Sequence, residues 1–316
     1  MKIHTLDPRM GAALACSLDR FEQQFSYPLG QTQSFHVSHG DDYVRFFRAM
    51  GRAQCFIAEQ DGKIIGSLAV VVRRIRLPDR SEKDVGYLGD LKISPCARGG
   101  RTLFQLARAA ASWIQRSVTA YFGVVMDGTA ATPDRYTGRA GLPLFEAIAK
   151  VVVVQFPTPD ASSDHDPTAA EVDPNVAMAC FRNLSIGRYA TPCTNSFERS
   201  VLAPVWLMLK DGLACGCLED TRRAKRLVRG DGTEMLTGHL SCFAYEDIES
   251  GAALIRTAIG RARLLGYPAL FVAIAATDSA KILAELNEQR ATLAPATIFA
   301  SGLTPNIEWN LNTAEI

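Results

Sequence analysis

The residues best placed to do chemistry lie in one run, Tyr87-Leu88-Gly89-Asp90-Leu91-Lys92-Ile93-Ser94-Pro95-Cys96-Ala97-Arg98-Gly99-Gly100-Arg101-Thr102-Leu103. It reads as a strand ended by a proline, then a basic loop with paired glycines that opens a helix. A helix N-terminus exposes unpaired N–H groups and carries partial positive charge, so it suits a phosphate. Adjacent glycines let the backbone approach an anion with no Cβ in the way. Arg98 and Arg101 add charge-assisted bonds to a diphosphate. The spacing fits neither G-x-x-x-x-G-K-[ST] nor G-x-G-x-x-G, which argues against a nucleotide triphosphatase or a dinucleotide site.

The elements that must hold this loop recur along the chain. Gln54 to Glu59 and Ile64 to Val72 read as strands joined by Asp61-Gly62, a strong hairpin signal. Pro204 to Leu209, Asp211-Gly212 and Leu213 to Leu218 repeat that arrangement 150 positions later. Val85 to Ser94 is a strand, Leu103, Leu106, Ala110, Trp113 and Ile114 fall at helical spacing, and Tyr121 to Met126 is a buried strand. Met235 to Phe243, a helix through Leu254 to Ala262, and Ala269 to Ala275 repeat that order. Ser94 to Ala120 and Phe243 to Ala269 are both 26 positions apart. One α/β pattern is written twice.

Each half closes with further elements. In the first, a helix around Leu144 to Lys150 is expected to lead into the β-branched strand Val151 to Phe156. In the second, Ser279 to Glu288 is expected as a helix capped by Asp278, followed by strands at Thr297 to Ala300 and Ile307 to Leu311. The expected division is an N-terminal unit over 1–156, a linker over 157–176 rich in Pro, Asp, Ser and Ala, and a degenerate C-terminal unit over 177–316. Asp164-His165-Asp166 falls in the linker and reads as solvated, so no metal is expected.

The strand, proline and loop resemble the acetyl-CoA motif of the GNAT acetyltransferase superfamily, through Asp-Leu-x-Ile-Ser-Pro-x-x-Arg-Gly preceded by an Asp-Gly hairpin. The resemblance covers roughly residues 43–156. Arg98 is in register with the family pattern, while Gly99, Gly100 and Thr102 are displaced; a one-residue deletion makes Gly100 and Thr102 the small positions. The resemblance implies two tandem α/β (α+β) units, each a mixed, mostly antiparallel sheet with flanking helices and a fourth strand splayed from the fifth. It implies acetyl-CoA as cosubstrate, its pantetheine arm against backbone near Leu91 and Ile93, and its pyrophosphate at Arg98, Gly99, Gly100, Arg101 and Thr102. The second unit is acidic where phosphate wants donors, Tyr245-Glu246-Asp247-Ile248-Glu249, and is expected to hold no cofactor.

Transfer of an acetyl group to an amine needs a base, an oxyanion donor and an acid for the leaving thiolate. The resemblance implies Asp90 as base, with Glu59 as second candidate, and Tyr136 as acid within Arg135-Tyr136-Thr137-Gly138-Arg139-Ala140-Gly141-Leu142. The oxyanion would meet a backbone N–H near Ile93. Tyr43, Phe46 and Phe47 read as core.

Composition bounds the rest. A chain of 316 residues with 47% hydrophobic and 21% charged residues is a folded protein of two-domain size. A net charge of +1 offers no broad field for nucleic acid or anionic membrane. The clusters Arg73, Arg74, Arg76 and Arg222, Arg223, Lys225, Arg226 read as solvated strand ends and loops. Eight cysteines without framework spacing read as free, mostly buried thiols. Met10 to Leu18 is too short for a membrane span and a poor signal peptide, so a cytoplasmic chain is expected. The expected activity is transfer of acetyl to a primary amine of a small molecule or peptide, with homodimerisation left open. The alternatives are a non-catalytic acyl-CoA-binding module and a tRNA-dependent aminoacyl transferase of the same fold.

Overall fold

A computed structural model describes residues 1–30, 33–114, 117–129, 131–139, 142–158, 169–193 and 196–316. The first half runs β1 (Lys2–Leu6), α1 (Pro8–Glu22), β2 (Tyr27–Leu29), β3 (Gln33–Ser38), α2 (Arg45–Arg48), β4 (Arg52–Gln60), β5 (Lys63–Arg76), β6 (Glu82–Ile93), α3 (Thr102–Ile114), β7 (Tyr121–Met126), α4 (Pro133–Tyr136) and β8 (Glu146–Pro157). The second runs β9 (Ala169–Glu171), α5 (Pro174–Leu184), β10 (Tyr189–Ala190), α6 (Ser196–Arg199), β11 (Val205–Leu209), β12 (Ala214–Glu219) and β13 (Arg226–Arg229). It continues through β14 (Gly238–Tyr245), α7 (Ile248–Leu264), β15 (Ala269–Ala275), α8 (Ala276–Leu286), β16 (Thr292–Ser301) and β17 (Trp309–Asn310).

Local chemistry explains most boundaries. Asp7 accepts the amide of Met10 and Pro8 opens α1, a helix start with its cap and its fixed φ in place. Asp61 and Gly62, at φ 52° and 74°, turn β4 back onto β5. Pro95 ends the run of β6, and a single 3-10 turn leads into the loop before α3.

The two halves share one sheet. Its order is β1-β4-β5-β6-β7-β16-β8-β15-β14-β12-β11-β9. β16, from the second half, pairs antiparallel with β7 on one side and β8 on the other, both from the first half. β8 in turn pairs with β15. A small second sheet, β13-β3-β2, again joins strands from both halves. The expected mixed, mostly antiparallel sheet with flanking helices is present, and the halves are interlocked by β16.

Several local expectations are corrected. Residues 146–150 are not helix but the start of β8, because the Val151–Val154 run sits between two partner strands and pairing propagates back to Glu146. α8 starts at Ala276 rather than Ser279, and Asp278 lies inside its first turn, bonding the Tyr245 hydroxyl instead of capping. Ile307 to Leu311 is a strand only at Trp309–Asn310. The expected linker ends early, since residues 169–176 already form β9 and the start of α5; Asp164, His165 and Asp166 lie outside the described residues. Arg73 and Lys225 are buried rather than solvated. Arg73 meets Glu315 at 2.8 Å, and Glu315 also meets Arg199 at 3.1 Å, whose guanidinium holds Glu219 at 2.8 Å. This buried charge chain ties the last residues to both halves. All eight cysteines are free, and Cys55, Cys215, Cys217 and Cys242 are buried. No described helix is long and apolar enough to cross a membrane.

Candidate functional site

β6 and β7 run parallel but pair only at Gly86 with Tyr121 and Tyr87 with Phe122. Beyond those pairs the strands diverge and open a cleft between them. The cause is a bulge in β6: pairing with β5 skips between Ser67 and Ala69, and Asp90 turns at φ 52°. The Ser67 hydroxyl donates to the Asp90 carbonyl at 2.8 Å and fixes the bulge.

The cleft opens into a cavity of about 400 Å³. Asp90 and Leu91 line it from β6, Val124 and Met126 from β7, and Tyr136 from α4. Residues from both halves also line it, among them His39, Phe46, Lys225, His239 and Thr313. The walls are predominantly apolar, so the few polar groups decide orientation.

The glycine loop precedes α3, whose Leu103, Ala107 and Ala110 line the cavity. Gly99 takes φ 78° with open space where a Cβ would stand, a left-handed turn that favours glycine. Arg98, Gly99, Gly100 and Arg101 are exposed. Among the described residues no protein acceptor takes the amides of Gly99 through Phe104, and neither Gly100 nor Arg101 carries a capping acceptor. Thr102 is buried, its methyl packed where a Cβ on Gly66 would come within 2.9 Å. Donors, positive charge and an open approach therefore coincide at the start of α3.

The second half shows what happens when that position is self-satisfied. There the helix start of α7 is capped by Asp247, which accepts the Ser250 amide at 2.8 Å. Its strand pair β14–β15 also diverges, after Leu240 and Val272, with a bulge at Cys242. The Cys242 amide is taken by the Asn312 side chain at 2.7 Å, and Thr313–Glu315 packs against β14. Chain atoms thus occupy the places that remain open in the first half.

The polar wall of the cavity is a buried network. Asp90 meets the Lys92 ammonium at 2.5 Å and receives the Tyr43 hydroxyl on its other oxygen. Lys92 also meets Glu22 at 3.3 Å, and Glu22 meets His39 Nδ1 at 2.6 Å. Burial alone would push the Lys92 ammonium down, but Asp90, then Tyr27 and Glu22, outweigh it and hold it above the ordinary lysine range. Burial would likewise raise Glu22, yet His39 and Lys92 hold it below the usual carboxyl value. Glu22, His39 and Asp90 lie within 4.8 Å of one another, and the Lys92 ammonium is the cation beside them. Burial pushes the Tyr136 phenol up to about 12, and its hydroxyl has no partner among the described residues.

The expected site residues are thus placed as follows. Asp90, Leu91 and Tyr136 share the cavity wall; Arg98 to Arg101 form the exposed loop ahead of α3 and do not line the cavity, Thr102 is buried, and Ile93 lies on β6 but not on the wall. Glu59 is remote from the cavity and pairs with His4 at 3.1 Å. Tyr43, Phe46 and Phe47 are core, and Phe46 and Phe47 also line the cavity. Gly141 lies outside the described residues. Glu22 and His39 are not singled out in the sequence, Lys92 is given no role within its run, and Lys225 is expected there to be solvated. No local spacing marks them: Glu22 meets His39 and Lys92 across 17 and 70 positions, and Lys225 meets Ile316 across 91.

A bulged strand splayed from its parallel neighbour, with a glycine loop and helix following, written twice and joined into one sheet, is the tandem GNAT fold, and the chain has it. It is similar to N-myristoyltransferase of Saccharomyces cerevisiae with bound myristoyl-CoA, at TM-score 0.62 and 9% identity over 99% of this chain and 87% of that one. It is also similar to a GCN5-related N-acetyltransferase from Anabaena variabilis, at TM-score 0.54 and 12% identity over 95% of this chain and 72% of that one. At these identities the likeness is one of fold. No protein-family model and no curated protein matches the chain.

Proposed function

We propose that the chain transfers an acyl group from an acyl-CoA thioester to a primary amine of a small molecule or peptide. The observation that carries this reading is the run of untaken amides from Gly99 to Phe104, flanked by Arg98 and Arg101, at the start of the helix α3 whose Leu103 lines the open cleft. A diphosphate bound there leaves the pantetheine arm to follow the gap between β6 and β7, where both strands have unpaired facing edges. The thioester then lies near Asp90 and Leu91, and Tyr136, kept protonated by burial, can give a proton to the departing thiolate. Both solved neighbours are named for N-acyl transfer.

Acetyl-CoA is the donor implied by the motif. The apolar cavity beyond the cleft favours a second reading, a longer acyl chain, and the yeast neighbour binds myristoyl-CoA. Apolar burial contributes about 0.8 kcal/mol per methylene, so affinity should climb with chain length if the cavity takes the acyl tail. The test is incubation with acetyl-, octanoyl- and myristoyl-CoA and a panel of primary amines, following thiol release and the mass of the acylated product. Formation of an N-acyl amide supports the reading. Tight thioester binding without any acyl transfer supports a non-catalytic module instead.

A further inference from the structure

We infer that His39 is the general base of this site, taking the acceptor amine's proton on Nε2 while Glu22 holds Nδ1. The inference rests on the acyl-transfer reading above and deepens it. Three observations carry it. First, Glu22 Oε1 lies 2.6 Å from His39 Nδ1, and Glu22 Oε2 accepts the His39 main-chain amide at 3.1 Å, so one carboxylate fixes both the ring and its backbone. A carboxylate on Nδ1 demands the tautomer with its proton there, which leaves the Nε2 lone pair free. Second, His39 lines the cavity, and among the described residues its ring bonds only through Nδ1, to Glu22. Third, a His39 ring nitrogen lies within 4.8 Å of an Asp90 oxygen, at the bulge where the cleft meets the cavity.

Asp90 is poorly placed for the same task. One of its oxygens is engaged by Lys92 and the other by Tyr43 and Ser67. With both oxygens already bonded, neither is free to meet an incoming ammonium. The imidazole is the nearby group with a free acceptor. Tyr43, Phe46 and Phe47 pack around its ring at centroid distances of 4.6, 5.4 and 5.3 Å and hold its orientation.

The atoms balance as follows. The acceptor ammonium gives one proton to Nε2, and its nitrogen lone pair bonds to the thioester carbon. The C–S bond breaks with its electron pair on sulfur. The thiolate takes a proton from the Tyr136 hydroxyl, which recovers it from the new amide nitrogen. The imidazolium releases its proton to solvent. Glu22 touches no reacting atom and is a positioning residue.

The charged and titratable groups packed near His39 are Glu22 from α1, Tyr27 from β2, Tyr43 ahead of α2, Asp90 and Lys92 from β6, and Lys225, which lies 4.4 Å over the Phe46 ring. The experiment compares the full chain with His39→Asn and His39→Gln, using octanoyl-CoA with octylamine and acetyl-CoA with glycinamide. Asn retains a donor toward Glu22 and lacks the outer nitrogen. Expected are unchanged acyl-CoA affinity by calorimetry, a fall of about 100-fold or more in kcat/KM, and loss of the acid limb of the pH profile. Glu22→Gln is expected to lower kcat with the limb displaced rather than lost. If the wild type transfers acyl groups and both His39 variants keep its rate and its acid limb, the base assignment is overturned while acyl transfer stands. If the wild type transfers none, the reading beneath falls, and the base assignment with it.

Discussion

Asp90 and Cys242 hold the same place in the two halves, each at the bulge of its central strand, with φ 52° and 48°. The register shifts opposite them, between Ser67 and Ala69 and between Cys215 and Cys217, are equivalent. The backbone device that splays a strand from its neighbour is therefore duplicated. What differs is the side chain set upon it. Asp90 heads a charged network facing an open cavity, whereas the Cys242 amide is closed off by Asn312. One half keeps an open cleft at this place and the other uses it to anchor the final segment.

Removing charge at Asp90 should expose how much that network contributes. Asn tolerates a left-handed φ, so Asp90→Asn isolates the ion pair from the bulge. Lys92 would then keep only Glu22 as a charged partner in a buried site. A loss of about 3 kcal/mol is expected in urea denaturation. An unchanged midpoint would mean the pair is not formed.

Acid should weaken the same region through Glu22. Its folded pKa lies below the ordinary 4.5, so the unfolded chain binds the proton more readily. The stability it contributes is fully present above 4.5 and is lost as pH falls through the depressed folded value. Glu22→Gln should be less stable than wild type at neutral pH, with the gap closing in acid. A gap independent of pH contradicts this.

Much of this architecture is legible in the sequence because it is local. The Asp61-Gly62 turn, the Pro95 stop, α3 and the paired strand–helix–strand units follow from periodicity and turn chemistry. The displaced loop was legible too, as glycines and arginines ahead of a helix. The insertion of β16 between β7 and β8 was not, since pairing partners from opposite halves leave no local pattern. For the same reason Glu146–Lys150 reads as helix when alone and becomes strand between two neighbours. His39 sits in an unremarkable Ser38-His39-Gly40 loop, and only the fold brings Glu22 to it.

Tyr136 should matter to chemistry and little to binding. Its phenol is protonated across neutral pH and free of described partners. Tyr136→Phe should lower kcat about 100-fold with acyl-CoA affinity unchanged, measured by steady-state kinetics and calorimetry. Equal losses in affinity would assign it to binding.

The capped helix of the second half offers a control. Asp247→Ala removes the bond to Ser250 and should cost about 1 kcal/mol in denaturant unfolding. CoA stoichiometry should stay the same, because Asn312 still holds the Cys242 amide. A second equivalent of CoA bound by this variant would show that Asp247 alone closes that position.

The buried arginine between the halves should dominate stability. Arg199 holds Glu219 and Glu315 together at full burial. Arg199→Met leaves both carboxylates without it, and a loss of about 3–5 kcal/mol is expected by thermal or urea unfolding.

The most direct test is a calorimetric titration of the whole chain with CoA, beside Arg98→Glu. Expected is saturable binding of one CoA per chain, weakened at least about tenfold by a carboxylate set against the diphosphate. No heat from the wild type, or equal affinity in both proteins, would contradict a diphosphate seated on the amides from Gly99 to Phe104.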